Sequence, residues 1–374
     1  MIKNGLIILF GFMAALIAFS GFKALDFYNA VYKPTVAQTT NKPTDSPKPK
    51  TEYNVLLMGY GGPGHDGAYL TDTMMIAHID IVKRRATMVS IPRDIWVSLP
   101  TKSGTPFHAK VNTLYQTEKF PDTFPDVEPD GLVRKTIEGI TGLEIDNIVT
   151  LDFSGFKKAI DVLGGITINV EKSFTDNQYP VDGRENDLCG KEEKDLPELE
   201  KIATESSPMA AFPCRYETLK FDRGPQMMNG ERALKYVRSR HGDVDAGDFG
   251  RAARQQQFIL GLRERLLSFN VITSLTPLLD QLKNNITIDI DQKTMQKFLG
   301  ELGHAKDYKI SHLVMSDNDY LDFGTSDDGQ SILEPKAGED NWKDVKVWIT
   351  NSIRGIKPTP TKTLPSATSS ATVE

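Results

Sequence analysis

From Tyr53 to Ile353 the chain repeats one pattern: short apolar runs, closed by glycines or polar turns, alternate with stretches of helical period. That alternation admits few architectures. Short strands with two apolar faces need cover on both sides, and the helices between them supply it. Strands are expected at 53–59, 73–82, 86–91, 147–153, 166–170 and 309–314. The polar turn Lys83-Arg84-Arg85 separates the second from the third. Helices are expected at 129–140, 154–163, 230–238, 249–268 and 342–353, with one more starting from Asp291 as N-cap and ending near Leu302. The pair Gly164-Gly165 divides the 154–163 helix from the strand after it. The predicted class is α/β: a layered α-β-α domain with a central mixed sheet, in one unit spanning 52–356. No internal repeat is visible.

Both ends of the 374-residue chain depart from this body, whose composition (39% hydrophobic, 25% charged over the whole chain) suits a sizeable core. Residues 5–22 carry no charge and are dominated by Leu, Ile, Phe and Ala. As a helix those residues would run about 27 Å, close to the thickness of a bilayer core. Two readings stand. The segment is an uncleaved transmembrane anchor, or a signal peptide with Ala18-Phe19-Ser20 as its small-x-small cleavage site. The length favours the anchor. Either reading exports the body; in the anchor reading 1–4 remains as a cytoplasmic stub. Residues 23–51 form a linker whose part from Lys33 to Thr51, rich in Pro, Thr and Lys, reads as an extended tether. Residues 357–374, rich in Pro, Thr, Ser and Ala, read as a disordered tail. The two cysteines, Cys189 and Cys214, lie in a charged, irregular stretch between Val170 and Met228. In an exported protein they are expected to pair, the alternative being two free thiols.

The chain is acidic, with a formal net charge of −6. Yet Arg238, Arg240, Arg251, Arg254 and Gln255 fall within 18 residues. A local guanidinium cluster in an acidic chain suits a pocket for one small, highly charged group, because the planar fork pairs bidentately with phosphate oxygens. The competing reading is a solvated face paired with Asp243, Asp245 and Asp248. Further polar groups collect at strand ends, where α/β sheets build sites. These are Leu70-Thr-Asp72-Thr, Ser90-Ile-Pro-Arg93-Asp94 and Lys110-Val-Asn112. Asp72 suits a divalent cation; Arg93 and Lys110 suit phosphate. On a helix, Arg251 and Gln255 share a face, with Arg254 and Phe258 beside them. Phe249, Ala253, Leu260 and Leu267 lie opposite and are expected to form the buried stripe. Phe258 and Leu262 continue the arginine side, either as the lining of an apolar cleft or as ordinary core.

These motifs resemble those of the LytR–CpsA–Psr family. The resemblance rests on Ser90-Ile-Pro-Arg-Asp94, Lys110-Val-Asn112, Asp161-Val-Leu-Gly-Gly-Ile166, Gly230-Glu-Arg-Ala-Leu-Lys-Tyr-Val-Arg-Ser-Arg240 and Arg251-Ala-Ala-Arg-Gln255, in that order. It implies a membrane-anchored, extracytoplasmic enzyme that transfers a glycopolymer from a polyprenyl-pyrophosphate carrier to the cell wall, usually to peptidoglycan. It also implies pyrophosphate contacts from Arg93, Lys110, Arg238, Arg240, Arg251 and Gln255, with Arg254 beside them, and Mg²⁺ at Asp72. Two positions depart from the family pattern. Leu70 stands where an arginine is frequent, and Gly59-Tyr-Gly-Gly62 lacks the usual aspartate after the first strand. Asp66, or His65 in second place, is the substitute expected for that carboxylate.

Asp72 and Arg93 are therefore the candidate catalytic residues of a phosphotransferase, and nucleic acid is not an expected partner. A polyprenyl-pyrophosphate hydrolase and a non-catalytic lipid-carrier binding or regulatory protein are the rival readings.

Overall fold

The computed structural model describes residues 28–33, 50–65, 67–267, 281–316 and 320–356. The segment 5–22, the 357–374 tail and Asp66 lie outside them. Among the described residues no helix is long and apolar enough to cross a membrane.

The centre is a six-stranded mixed sheet. Its strands are β1 (Glu52–Tyr60), β2 (Thr71–Asp80), β3 (Arg85–Ile91), β6 (Asn147–Asp152), β11 (Ile286–Ile288) and β12 (Lys309–Val314), in the order β11-β6-β1-β2-β3-β12. β1, β2 and β3 form an antiparallel meander; β6 adds parallel to β1 and β12 parallel to β3. Side chains alternate across such a sheet. Val55, Met75, Ala77, Ile79 and Met88 enter one core, while Leu56, Met58, Met74, Ile76 and Val89 enter the other. The first core is covered by the helices Phe153–Val162, Gly230–Arg238, Gly247–Leu267 and Gln292–Gly300; the second by Leu132–Thr141 and Lys343–Arg354. The three layers are those read from the sequence.

The helix starts follow local chemistry. Asp152 caps the Phe153–Val162 helix by accepting from the Gly155 N–H, and Asn229 caps Gly230–Arg238 by accepting from Arg232 N–H. The two helices also meet: Asp161 accepts from the Gly230 N–H at 2.7 Å, and a Cβ at Gly230 would lie 2.2 Å from the Lys157 carbonyl oxygen. Glycine is required there by the closeness of the two backbones.

Four features depart from the expectations. Residues 28–33 fall within the expected linker, but Tyr32 bridges to Ile288, and Val31 is 1% exposed. The open edge of β11 offers backbone groups that this short piece pairs with. The stretch between Val170 and Met228 is ordered. β7 (Ile166–Val170) pairs with β10 (Gly224–Met228), and β8 (Phe174–Pro180) pairs with β9 (Tyr216–Phe221). An excursion of 181–215 extends from the β8–β9 pair, carries two short helices and buries Leu199, Ala211 and Phe212. Two further hairpins, β4–β5 (Trp96–Leu99, Phe107–Lys110) and β13–β14 (Leu321–Thr325, Ser331–Pro335), are too short to show as apolar runs. Lastly, the Gly247–Leu267 helix buries Arg251, Arg254, Phe258, Ile259 and Leu262, whereas Ala253, on the face expected to be buried, is exposed. The arginine side faces the sheet.

Candidate functional site

A cavity of about 340 Å³ lies between the sheet and its helical cover. Leu57, Met75, Val149 and Leu151 form its floor, and Phe156, Ile160, Leu234, Val237, Phe258 and Leu262 its roof. Phe258 and Leu262 thus line the cleft. The charged residues of its lining are Asp72, Arg93, Asp152, Asp176, Arg238, Arg240 and Arg251, with Gln255 and His241 beside them. They come from the start of β2, the segment after β3, the end of β6, β8, the two arginine-bearing helices and the turn between them that carries Arg240 and His241. β1 and β6 run parallel and end together at Tyr60 and Asp152, the position where such sheets accept ligands.

Each aspartate of the lining is already engaged. Asp72 Oδ1 accepts from Arg93 Nη1 at 2.7 Å. Asp152 accepts from the Gly155 N–H and from Asn285 Nδ2. Asp176 is fully buried and accepts from the Ser239 hydroxyl at 2.6 Å, the Arg240 N–H at 3.3 Å and the His241 N–H at 3.2 Å. Sequence reasoning missed Asp176, because no motif or spacing marks a carboxylate that folds back on a turn 63 residues later. It fixes the turn that presents Arg240.

Arg238 is held on several sides. Its Nη1 donates to Tyr179 Oη at 3.2 Å and to Asp182 Oδ1 at 3.3 Å; its Nη2 is 3.0 Å from His65 Nε2. Its guanidinium also stacks 4.3 Å from the Phe153 ring centroid. Gln255 donates to Thr73 Oγ1 at 2.9 Å, tying the long helix to β2. Arg251 is 6% exposed and lines the cavity.

Two sequence candidates stand apart. Lys110 pairs with Asp94 at 3.0 Å and is not part of the cavity lining. Arg254 lies behind the wall, donating to the Ser239 and Asp245 carbonyl oxygens and stacking on Phe174. Burial pulls its pKa down. Its fork is used to hold the turn at Ser239, not offered to the cavity. Two of the loop carboxylates expected to neutralise the cluster are used elsewhere: Asp243 accepts from the Thr175 N–H and Asp245 pairs with Lys172.

His65 sits between a guanidinium and a carboxylate, 3.3 Å from Asp182 Oδ1. The donor set suits Mg²⁺ in one respect. Asp72 engages Arg93 through one oxygen, and Mg²⁺ is commonly held by one or two carboxylates with phosphates and water completing the shell. Among the described residues, the groups of three or more close potential metal ligands lie elsewhere, at His108-Glu339-Asp340 and around the disulfide. Cys189 and Cys214 are joined in the 181–215 excursion, with Cα atoms 5.4 Å apart.

A family model then matches residues 22–343, that of the LytR_cpsA_psr family. The chain belongs to this family. Among its relatives is the polyisoprenyl-teichoic acid–peptidoglycan teichoic acid transferase TagU of Oceanobacillus iheyensis, 27% identical over 262 residues, covering 69% of this chain and 65% of that protein. The corresponding transferase TagV of Bacillus subtilis is 27% identical over 266 residues, covering 70% of this chain and 56% of TagV. The aligned region therefore spans less than two thirds of either relative. The crystal structure of TagV shares the fold: TM-score 0.52 at 22% identity, covering 83% of this chain and all of that one. Family membership accounts for the ordered motifs from Ser90 to Gln255.

Proposed function

We propose that this protein transfers a glycopolymer, as a glycosyl phosphate, from a polyprenyl-pyrophosphate carrier to a cell-wall acceptor such as peptidoglycan. One observation carries the reading. A single cavity joins an arginine-bearing polar end to an apolar interior between sheet and helices. That is the shape and chemistry of a diphosphate attached to a hydrocarbon chain. The names of the relatives, transferases of polyisoprenyl-linked teichoic acid to peptidoglycan, support the substrate class.

In this reading Arg238, Arg240 and Arg251 grip the diphosphate, with Gln255 beside them. Phe156, Phe258 and Leu262 pack on the first part of the chain. An acceptor hydroxyl attacks the glycan-side phosphorus, and polyprenyl phosphate leaves. Fixed guanidinium groups stabilise the charge that develops on the phosphate oxygens, usually the largest contribution to such a reaction. Arg93, held against Asp72, is placed to join them. Asp72 is the residue proposed to hold Mg²⁺, with Asp66 as a second carboxylate; the ion would neutralise phosphate charge. In the same reading Asp72 would also orient the attacking hydroxyl. The body acts outside the cytoplasmic membrane, anchored by 5–22.

The test is transfer in a purified system with carrier-linked glycan and peptidoglycan. Asp72→Asn should lower transfer by about a hundredfold or more while leaving the melting temperature unchanged. Normal transfer by that variant would remove Asp72 from its central role. Release of free glycosyl phosphate, with no glycan on the acceptor, would assign the site to a hydrolase instead.

A further inference from the structure

Arg238 is met by a carboxylate that belongs to none of the sequence motifs. Asp182 lies just after β8, at the root of the disulfide-closed excursion, where the Val181 N–H donates to the Arg215 carbonyl at 2.8 Å. Its Oδ1 accepts from Arg238 Nη1 and also meets His65 Nε2. Three features separate this contact from a merely structural ion pair. First, Arg238 is held without it. The Phe153 ring lies 4.3 Å below its guanidinium, the Tyr179 ring 5.7 Å away, and Tyr179 Oη accepts from Nη1. Stacking and these contacts keep a guanidinium in place. Second, the two partners differ in exposure. The Arg238 side chain is 13% exposed and lines the cavity, whereas Asp182 is 47% exposed and stands outside the lining. Asp182 therefore has solvent to turn into. Third, the Asp182 carboxylate is held well into the charged form: its hydrogen bond with His65 and the nearby Arg238 hold its pKa down to about 2.

We propose that Asp182 is an internal counter-anion of the Arg238 site, displaced by the incoming diphosphate, and so a determinant of how tightly this chain takes its anionic substrate. The inference rests on the reading of Arg238 as a diphosphate contact. The exchange is physically reasonable. A part-exposed carboxylate pair is worth little, whereas a phosphate makes charge-assisted bonds with several arginines of the cavity at once. Until then Asp182 neutralises a guanidinium that burial alone would leave uncompensated.

The experiment is calorimetric titration of the full chain in detergent with inorganic pyrophosphate and, separately, geranylgeranyl diphosphate. Asp182→Asn should tighten both by about two- to fivefold, the range expected for removing a part-exposed competing charge. Asp182→Ser, neutral and smaller, should do the same. Arg238→Ala should weaken both by more than about tenfold. If the two Asp182 variants bind no better than the parent while Arg238→Ala binds worse, Asp182 orients the arginine and does not compete, and the proposal falls. If Arg238→Ala binds both ligands normally, the diphosphate reading of Arg238 falls, and this inference with it.

Discussion

At the scale of single residues, the site depends on buried groups that fix the arginines as much as on the arginines themselves. Asp176 shows this best. It is 0% exposed and takes hydrogen bonds from Ser239, from the backbone of Arg240 and His241, and from the Gln178 N–H at 2.9 Å. Removing an acceptor of that kind leaves buried donors unpaired, at roughly 1–3 kcal/mol each where water cannot replace it. Asp176→Ala should therefore destabilise the fold by about 3 kcal/mol, seen as a lower urea midpoint with unchanged slope. It should also weaken pyrophosphate binding, because the turn presenting Arg240 loses its anchor. An unchanged midpoint would mean that water replaces the carboxylate. Arg254 makes the complementary point. It is the same residue type as Arg251, three positions away, yet it braces the Ser239 carbonyl while Arg251 lines the cavity. No sequence feature separates the two; the rotation of one helix does.

At the scale of elements, the 181–215 excursion has only a small core of its own. Its small apolar cluster centres on Leu199, Ala211 and Phe212. The Cys189–Cys214 bridge closes a separation of 25 residues within it. A loop of that size is stabilised by roughly 3 kcal/mol in the chain-entropy account, which is itself model-dependent. Replacing both cysteines by serine should lower thermal stability and expose 181–215 to limited proteolysis, while the six-stranded sheet keeps its protection from hydrogen exchange. Loss of protection throughout the sheet would show that the excursion and the body unfold as one unit. The long Gly247–Leu267 helix has the opposite character. Its buried side carries guanidinium groups as well as Phe258, Ile259 and Leu262, so it serves as wall of the cavity and cover of the sheet together.

For the whole molecule, the cavity is a gap of about 340 Å³ inside one of the two cores. Interiors are normally close-packed, so a ligand that fills this space and meets the arginines should stabilise the folded state alone. By mass action, geranylgeranyl diphosphate at a hundred times its dissociation constant should add about 2.7 kcal/mol. Inorganic pyrophosphate at the same concentration should raise the melting temperature less, and geranylgeraniol, lacking phosphate, less again. Equal shifts with pyrophosphate and the lipid diphosphate would show that the apolar part of the cavity takes no part in binding.

The layered class and most element positions were legible in the sequence, because strand and helix periods are local properties set by burial on alternate faces. β7, β12 and the Gly230–Arg238 helix lie within the expected bounds, and the mixed sheet is the one anticipated. The clustering of Arg238, Arg240 and Arg251 was legible too, since it needs only their closeness along the chain. Other features were not. The buried side of the Gly247–Leu267 helix is not the apolar stripe through Ala253, because arginines facing a cavity are buried together with Phe258 and Leu262. Asp176 and Asp182 carry no sequence motif, since the partners that give them their place in the site, Ser239 and Arg238, come from segments far away in sequence. Local composition determined that this chain would build a three-layer domain with an arginine-rich segment. Only the tertiary packing, by setting helix rotation and long-range hydrogen bonds, decided which arginines face the cavity and which carboxylates meet them.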